Sequence, residues 1–230
     1  MIKPHSPHLH LYLDTAEVSA WETWLPTGLF YGVTCNPTLL EKAGVACDTE
    51  VLRRLARKAF DLGVEEVHLQ AWGSTTAALV EVGKDLSRID RRVLVKLPAT
   101  KEGMMAAKVL VRDRIPVTLT AVYSVHQVLM AAALGASYVA PYLGRINDAG
   151  RDGRSDIAQM QQILNGVRSE TRILTASIRD IEDIPTLAAQ GVDTFTFSEA
   201  IAQAFFDVPA TLTATADFEQ AANKTMNDEE

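Results

Sequence analysis

Cysteine is nearly absent. Cys35 and Cys47 are the only two in 230 residues, so no disulfide framework is expected to organise the fold, and both thiols are expected to be reduced. Missing too is any apolar run of membrane-spanning length, and the opening MIKPHSPHLHLYLD carries His and Pro where a secretion signal needs an apolar stretch. These absences predict a cytoplasmic protein. Excess positive charge is also lacking: 29 acidic side chains face 22 basic ones, for a formal net charge of −7 and a pI near 5.3. With no long Lys/Arg run, nucleic acid and anionic membranes are excluded as expected partners. No linker or low-complexity stretch divides the chain. What is present is apolar content, 47% of residues, enough for one sizeable core. Residues 1–230 therefore read as one domain, with a tail over about 1–8 and a helix plus acidic tail over about 213–230.

Short β-prone runs recur at 9–14, 30–34, 66–70, 93–98, 117–122, 137–142, 172–177 and 193–197, each followed by a segment of helical period. The segments TTAALVEVGKDLSRI, EGMMAAKVLVRD, SVHQVLMAAALG and IAQMQQILNGVRS are the clearest helices. Asp14-Thr15, Ser74-Thr75 and Ser124 are candidate N-caps, and Gly63, Gly135 and Gly191 are candidate helix ends. Strands alternating with helices imply parallel pairing with crossovers. Eight such units predict an α/β fold, a (β/α)8 TIM barrel, with the C-terminal helix as an addition that packs on a neighbouring subunit.

Barrel enzymes place their chemistry at the C-terminal ends of the strands. Polar residues stand there in seven of the eight units: Asp14; Thr34 with Asn36; Gln70; Lys96; Thr120; Tyr142 with Arg145; and Ser177 with Arg179. Lys96 is distinctive because Val93-Leu94-Val95-Lys96-Leu97-Pro98 would bury its ammonium at high cost. One reading has it snorkelling outward between helices. The other has desolvation favouring the neutral amine, the nucleophile that condenses with a ketone. The resulting iminium is an electron sink that lets a neighbouring carbon–carbon bond break without a metal. Asp14 would take the C4 hydroxyl proton, and Tyr142, or a water held by Gln70 and Thr120, would protonate the enamine. Asp14 also reads as a plain helix cap. Arg145, Ser177 and Arg179 suit a phosphate, with surface salt bridges as the alternative for each arginine.

Asp14-Thr15-Ala16, Val33-Thr34-Cys35-Asn36-Pro37-Thr38-Leu39, Val95-Lys96-Leu97-Pro98, Ala140-Pro141-Tyr142-Leu143-Gly144-Arg145-Ile146 and Thr175-Ala176-Ser177-Ile178-Arg179 resemble, in order and spacing, the transaldolase family. The likeness is to its small members and the fructose-6-phosphate aldolases, and it spans nearly the whole chain. It implies Lys96 as the Schiff-base lysine and Asp14 as acid/base. Thr34 and Asn36 would bind substrate hydroxyls, and Arg145, Ser177 and Arg179 the phosphate. It also implies a homo-oligomer, typically a decamer of two five-membered rings. Gln70, Tyr142 and Thr120-Ala121-Val122-Tyr123 are similar to the aldolases, Gly144 and Arg179 to the transaldolases.

The leading expectation is a class I aldolase that cleaves or forms fructose 6-phosphate from dihydroxyacetone and glyceraldehyde 3-phosphate. A transaldolase moving a dihydroxyacetone unit between sugar phosphates is the alternative, and a non-catalytic sugar-phosphate-binding barrel a remote third. No cofactor is expected and no metal. His5, His8 and His10 lack accompanying Cys or carboxylate ligands at metal spacing, and GRINDAGRDG matches no nucleotide fingerprint and reads as a loop.

Overall fold

A computed structural model of the chain describes residues 9–227; the expected tail over 1–8, with His5 and His8, and residues 228–230 of the acidic end lie outside the described residues. Eight parallel strands close into a single barrel in sequence order, the last pairing with the first. They are β1 (His10–Asp14), β2 (Gly32–Thr34), β3 (Glu66–Gln70), β4 (Val93–Pro98), β5 (Val117–Val122), β6 (Tyr138–Pro141), β7 (Arg172–Thr175) and β8 (Thr194–Phe197). Between and after them run α1 (Val18–Trp24), α2 (Pro37–Lys42), α3 (Thr49–Asp61), α4 (Thr76–Ser87), α5 (Lys101–Arg112), α6 (Gln127–Leu134), α7 (Leu143–Asp148), α8 (Gly153–Gly166), α9 (Asp183–Ala188), α10 (Glu199–Ala204) and α11 (Pro209–Asn227). This is the expected (β/α)8 barrel with an added C-terminal helix. Among the described residues no helix is long and apolar enough to cross a membrane.

Side chains alternate along each strand, one set facing the helices and the other the lumen. Leu13, Val33, Leu69, Val95, Leu97, Leu119 and Phe195 belong to the main core with the helices' apolar faces. Tyr12, Leu94, Tyr138, Ala140 and Leu174 form a second, smaller cluster inside the barrel. Lys96 shares the parity of Leu94, so it enters the lumen. Ladder register sets it level with Gln70 on one side and Thr118 on the other.

Local signals account for several boundaries. Thr75 caps α4, its hydroxyl accepting from the Ala78 N–H, and Gly135 ends α6 in the left-handed conformation, as expected. Asp14 is not a cap: α1 starts only at Val18, after Glu17, and Asp14 closes β1. Ser124 is not one either, because the Gln127 side chain accepts the N–H groups of Tyr123 and Ser124 and α6 begins there. The seventh strand is shorter than 172–177 because Ser177 has φ 59, a left-handed conformation that breaks the ladder after an isolated Tyr142–Ala176 bridge. The segment GRINDAG, expected as a loop, contributes most of α7. Finally, α11 opens at Pro209 rather than near 213, since proline at the first helical position loses no hydrogen bond.

Candidate active site

Lys96 is 4% exposed, and its Nζ donates to the Cys35 carbonyl at 3.1 Å. Cys35 follows β2, so the side chain spans the lumen from β4 across the inner face of β3, and the snorkelling alternative is excluded. Burial pushes the Cys35 thiol up to about 12, against the pull of the Lys96 charge. It is therefore a protonated packing group rather than a thiolate.

Asp14 stands at the end of β1 with its Oδ1 accepting the Thr34 hydroxyl at 2.6 Å. Thr34 Oγ1 also lies 2.6 Å from Thr196 Oγ1. Because Thr34 has one proton and gives it to the carboxylate, Thr196 donates to Thr34. The two buried hydroxyls form a short chain that fixes Asp14. Asn36 caps α2, its Oδ1 accepting from the Leu39 N–H at 3.1 Å. Tyr142 and Thr120 share a hydroxyl–hydroxyl bond of 2.9 Å. The Arg145 guanidinium lies 5.2 Å from the Tyr142 ring centre and donates to Tyr123 Oη at 3.3 Å. The carbonyl of Ser177 accepts the Gly144 N–H at 2.9 Å, which ties the turn after β7 to the start of α7.

These elements enclose a cavity of about 150 Å³ lined by Asp14, Asn36, Lys96, Tyr142, Arg145 and Ser177, with Thr38, Leu39, Lys42, Ala140, Leu174, Ala176 and Thr196. Six of the ten residues expected at the site thus meet around one space. Thr34 and Thr120 stand behind it, bonded to Asp14 and Tyr142. Gln70, half-buried at the end of β3, is beside Lys96 in the ladder but not on the cavity wall. Arg179 is elsewhere: its two terminal nitrogens pair with both Asp148 carboxylate oxygens at 2.6 Å, and it lines a separate cavity of about 260 Å³.

Thr196 and Lys42 were missed by sequence reasoning. The lumen parity of Thr194 and Thr196 was available as a signal, and Lys42 stands four residues after Thr38, one helical turn on.

A larger cavity, about 870 Å³, opens at the opposite mouth, lined by residues at the strand starts such as Glu66, Pro116, Tyr138 and Arg172. Chemistry in this fold belongs to the other end, so size does not make it the active site. Beneath it Glu66 Oε2 accepts from Tyr12 Oη at 2.7 Å and Tyr138 Oη at 3.1 Å, and lies 3.3 Å from His68 Nε2. His68 Nδ1 lies 3.0 Å from Thr118 Oγ1. Burial raises the Glu66 carboxyl, but the hydrogen bonds from His68, Tyr12 and Tyr138 outweigh it and hold the group below its ordinary value. Burial lowers His68, against the opposing pull of Glu66. The pair is an ionised carboxylate and a neutral imidazole, so Nε2–H donates to Glu66 and Thr118 donates to Nδ1. His10, near Tyr138 and Arg172 and stacked on Tyr31, belongs to this end.

The family model described as "Transaldolase/Fructose-6-phosphate aldolase" matches residues 11–230. The chain belongs to this family. It is accordingly a Schiff-base-forming enzyme of ketone-group chemistry, and sugar phosphates are the substrate class. A "Probable transaldolase" of Methanococcus maripaludis is 32% identical over 203 residues, covering 88% of this chain and 92% of the relative. A protein with the same name from Leptospira biflexa is 31% identical over 216 residues, covering 94% and 99%. Among solved structures, a thiamine phosphate pyrophosphorylase from Pyrococcus furiosus superposes with a TM-score of 0.58 at 16% identity, covering 85% of this chain and 88% of that one. That likeness is one of fold alone.

Proposed function

We propose that this family member is a transaldolase in which Lys96 carries a dihydroxyacetone unit between sugar phosphates. The observation that carries this reading is the buried Lys96 amine opening onto a cavity shared with Asp14 and Tyr142. The amine adds to the ketone carbon of a ketose phosphate, and loss of water gives the iminium. Asp14 takes the C4 hydroxyl proton, the C3–C4 bond breaks, and its electron pair neutralises the iminium to an enamine as the aldose phosphate departs. Run backwards onto a second aldose phosphate, the same steps make a new ketose. The 150 Å³ cavity is below the roughly 300 Å³ at which drug-sized pockets begin, which suits the three-carbon unit and leaves the phosphate end to the open mouth near Arg145 and Ser177. Asn36 would orient substrate hydroxyls.

The name shared by the relatives favours transfer. A second reading, fructose-6-phosphate aldolase, is favoured by the Tyr142–Thr120 hydrogen bond, with Gln70 alongside. A phenol so held can deliver a proton to the enamine carbon, after which hydrolysis frees dihydroxyacetone. The wider reading is of one barrel domain over 1–230, working in the cytoplasm as a homo-oligomer, with the exposed apolar residues of α11 supporting self-association.

Borohydride reduction in the presence of fructose 6-phosphate, followed by peptide mapping, tests the chemistry. The adduct is expected on Lys96, and one on Lys84, Lys101 or Lys108 would overturn the assignment. Product analysis with and without erythrose 4-phosphate separates transfer, which yields a seven-carbon ketose phosphate, from release of free dihydroxyacetone.

A further inference from the structure

Arg179 is held by an arrangement that costs the protein something to build. Asp148 is the last residue of α7, where the partial negative charge of a helix end disfavours a carboxylate. It is offset by a two-pronged pair with Arg179, at 2.6 Å on each oxygen. The Arg179 guanidinium, with Arg145 further off, holds Asp148 below the usual carboxylate range, so the carboxyl stays ionised at neutral pH. The arginine reaches it by lying across Gly144: a Cβ at 144 would stand 2.7 Å from Arg179 Nε and 2.6 Å from the Ser177 carbonyl. The absent side chain is what lets the guanidinium pass.

The cavity that Arg179 lines is unsuited to a phosphate, because Asp152, Asp180 and Asp183 share its wall and its other guanidinium, Arg154, is already paired with Asp183 at 2.7 Å. Arg145 and Ser177 line the Lys96 cavity instead. Resting on the reading that a substrate phosphate binds at that mouth, we propose that Asp148 is a specificity-determining positioning residue that draws Arg179 away from the Lys96 cavity and competes with the phosphate for its guanidinium. The pair is more than half exposed on both sides, and exposed ion pairs are weak enough for an incoming dianion to displace. Apparent affinity is reduced by the fraction of Arg179 already engaged. The latch thus narrows the gap between phosphorylated and unphosphorylated substrates.

Asp148→Asn, with Asp148→Ser as a second variant against misfolding, should tighten binding of inorganic phosphate in calorimetry by about two- to fivefold. KM for erythrose 4-phosphate should fall by a similar factor relative to KM for erythrose. Both effects should vanish when Arg179→Ala is added, because Asp148 acts through the arginine. An equal gain in the Arg179→Ala background would show simple loss of a repelling charge and overturn the latch, as would no gain in either single variant. Borohydride trapping in the same preparations keeps the two readings apart. Trapping on Lys96 without the phosphate effect removes the latch alone, whereas the phosphate effect without trapping removes the Schiff-base reading.

Discussion

At the residue scale, the hydroxyl chain Thr196–Thr34–Asp14 differs from what the family likeness implies for Thr34. The threonine is fully buried and bonded to Asp14 rather than presented to the cavity. Thr34→Val would leave Asp14 without its donor and Thr196 without its acceptor, at a stability cost of about 1–3 kcal/mol. Turnover is expected to fall more than KM rises, as single-turnover and steady-state rates would reveal. Tyr142→Phe removes one oxygen and keeps the ring, so free dihydroxyacetone should drop while transfer to erythrose 4-phosphate persists. A joint loss would assign the phenol to packing. Activity should also survive EDTA, because the iminium proposed on Lys96 would supply the electron sink that other aldolases take from a cation. Loss in EDTA with recovery in zinc would reject that chemistry. Lys96 was legible beforehand because one ammonium in Val93-Leu94-Val95-Lys96-Leu97-Pro98 contradicts its surroundings. Nothing in the chain announces the pairing of Arg179 with Asp148, whose residues are thirty-one apart and meet only through a turn and a helix end.

At the element scale, strand ends decide the site. The chain could be divided into β and α units because apolar runs alternate in period, and β3, β4 and β5 were legible to the residue. The turn after β7 was not, because a left-handed serine has no sequence signature, and α7 was hidden by the Gly, Asn and Asp that make GRINDAG look like a loop. Gly144→Ala would force a Cβ against the Ser177 carbonyl, so that α7, the turn after β7 or the Arg179 side chain must shift. A lowered Tm is expected, together with a raised KM for phosphorylated substrates, since Arg145 and Ser177 flank the affected contact.

At the scale of the whole molecule, the barrel has a chemical mouth and a second polar end built on Glu66 and His68. An unfolded imidazole titrates near about 6.5, whereas burial keeps folded His68 neutral below that point. The unfolded chain therefore gains a proton that the folded chain does not, and stability should fall as pH drops below about 6.5. Glu66, ionised in the fold, adds a further loss as the pH passes the carboxylate range toward its lowered folded value. Thermal melts from pH 8 to 4 should show both limbs, and His68→Phe should flatten the upper one while lowering Tm throughout. The pattern Glu66, His68, Gln70 on one strand face was readable as three polar residues at period two, but which mouth each serves depends on height in the barrel, which periodicity does not encode.

The bond from Lys96 to the Cys35 carbonyl bears on handedness. An amine can rotate its hydrogens, but an iminium nitrogen keeps only one, and the double bond cannot turn. If that hydrogen stays on the Cys35 oxygen, the plane of the iminium, and of the conjugated enamine it becomes, is set by the backbone after β2, and one face of the enamine is turned toward the incoming aldehyde. A single diastereomer should then form at the new carbon–carbon bond. The acceptor belongs to the main chain, so Cys35→Ala should leave the diastereomer ratio of the product where it stands in the unmodified protein, as chiral chromatography of the dephosphorylated sugar would read.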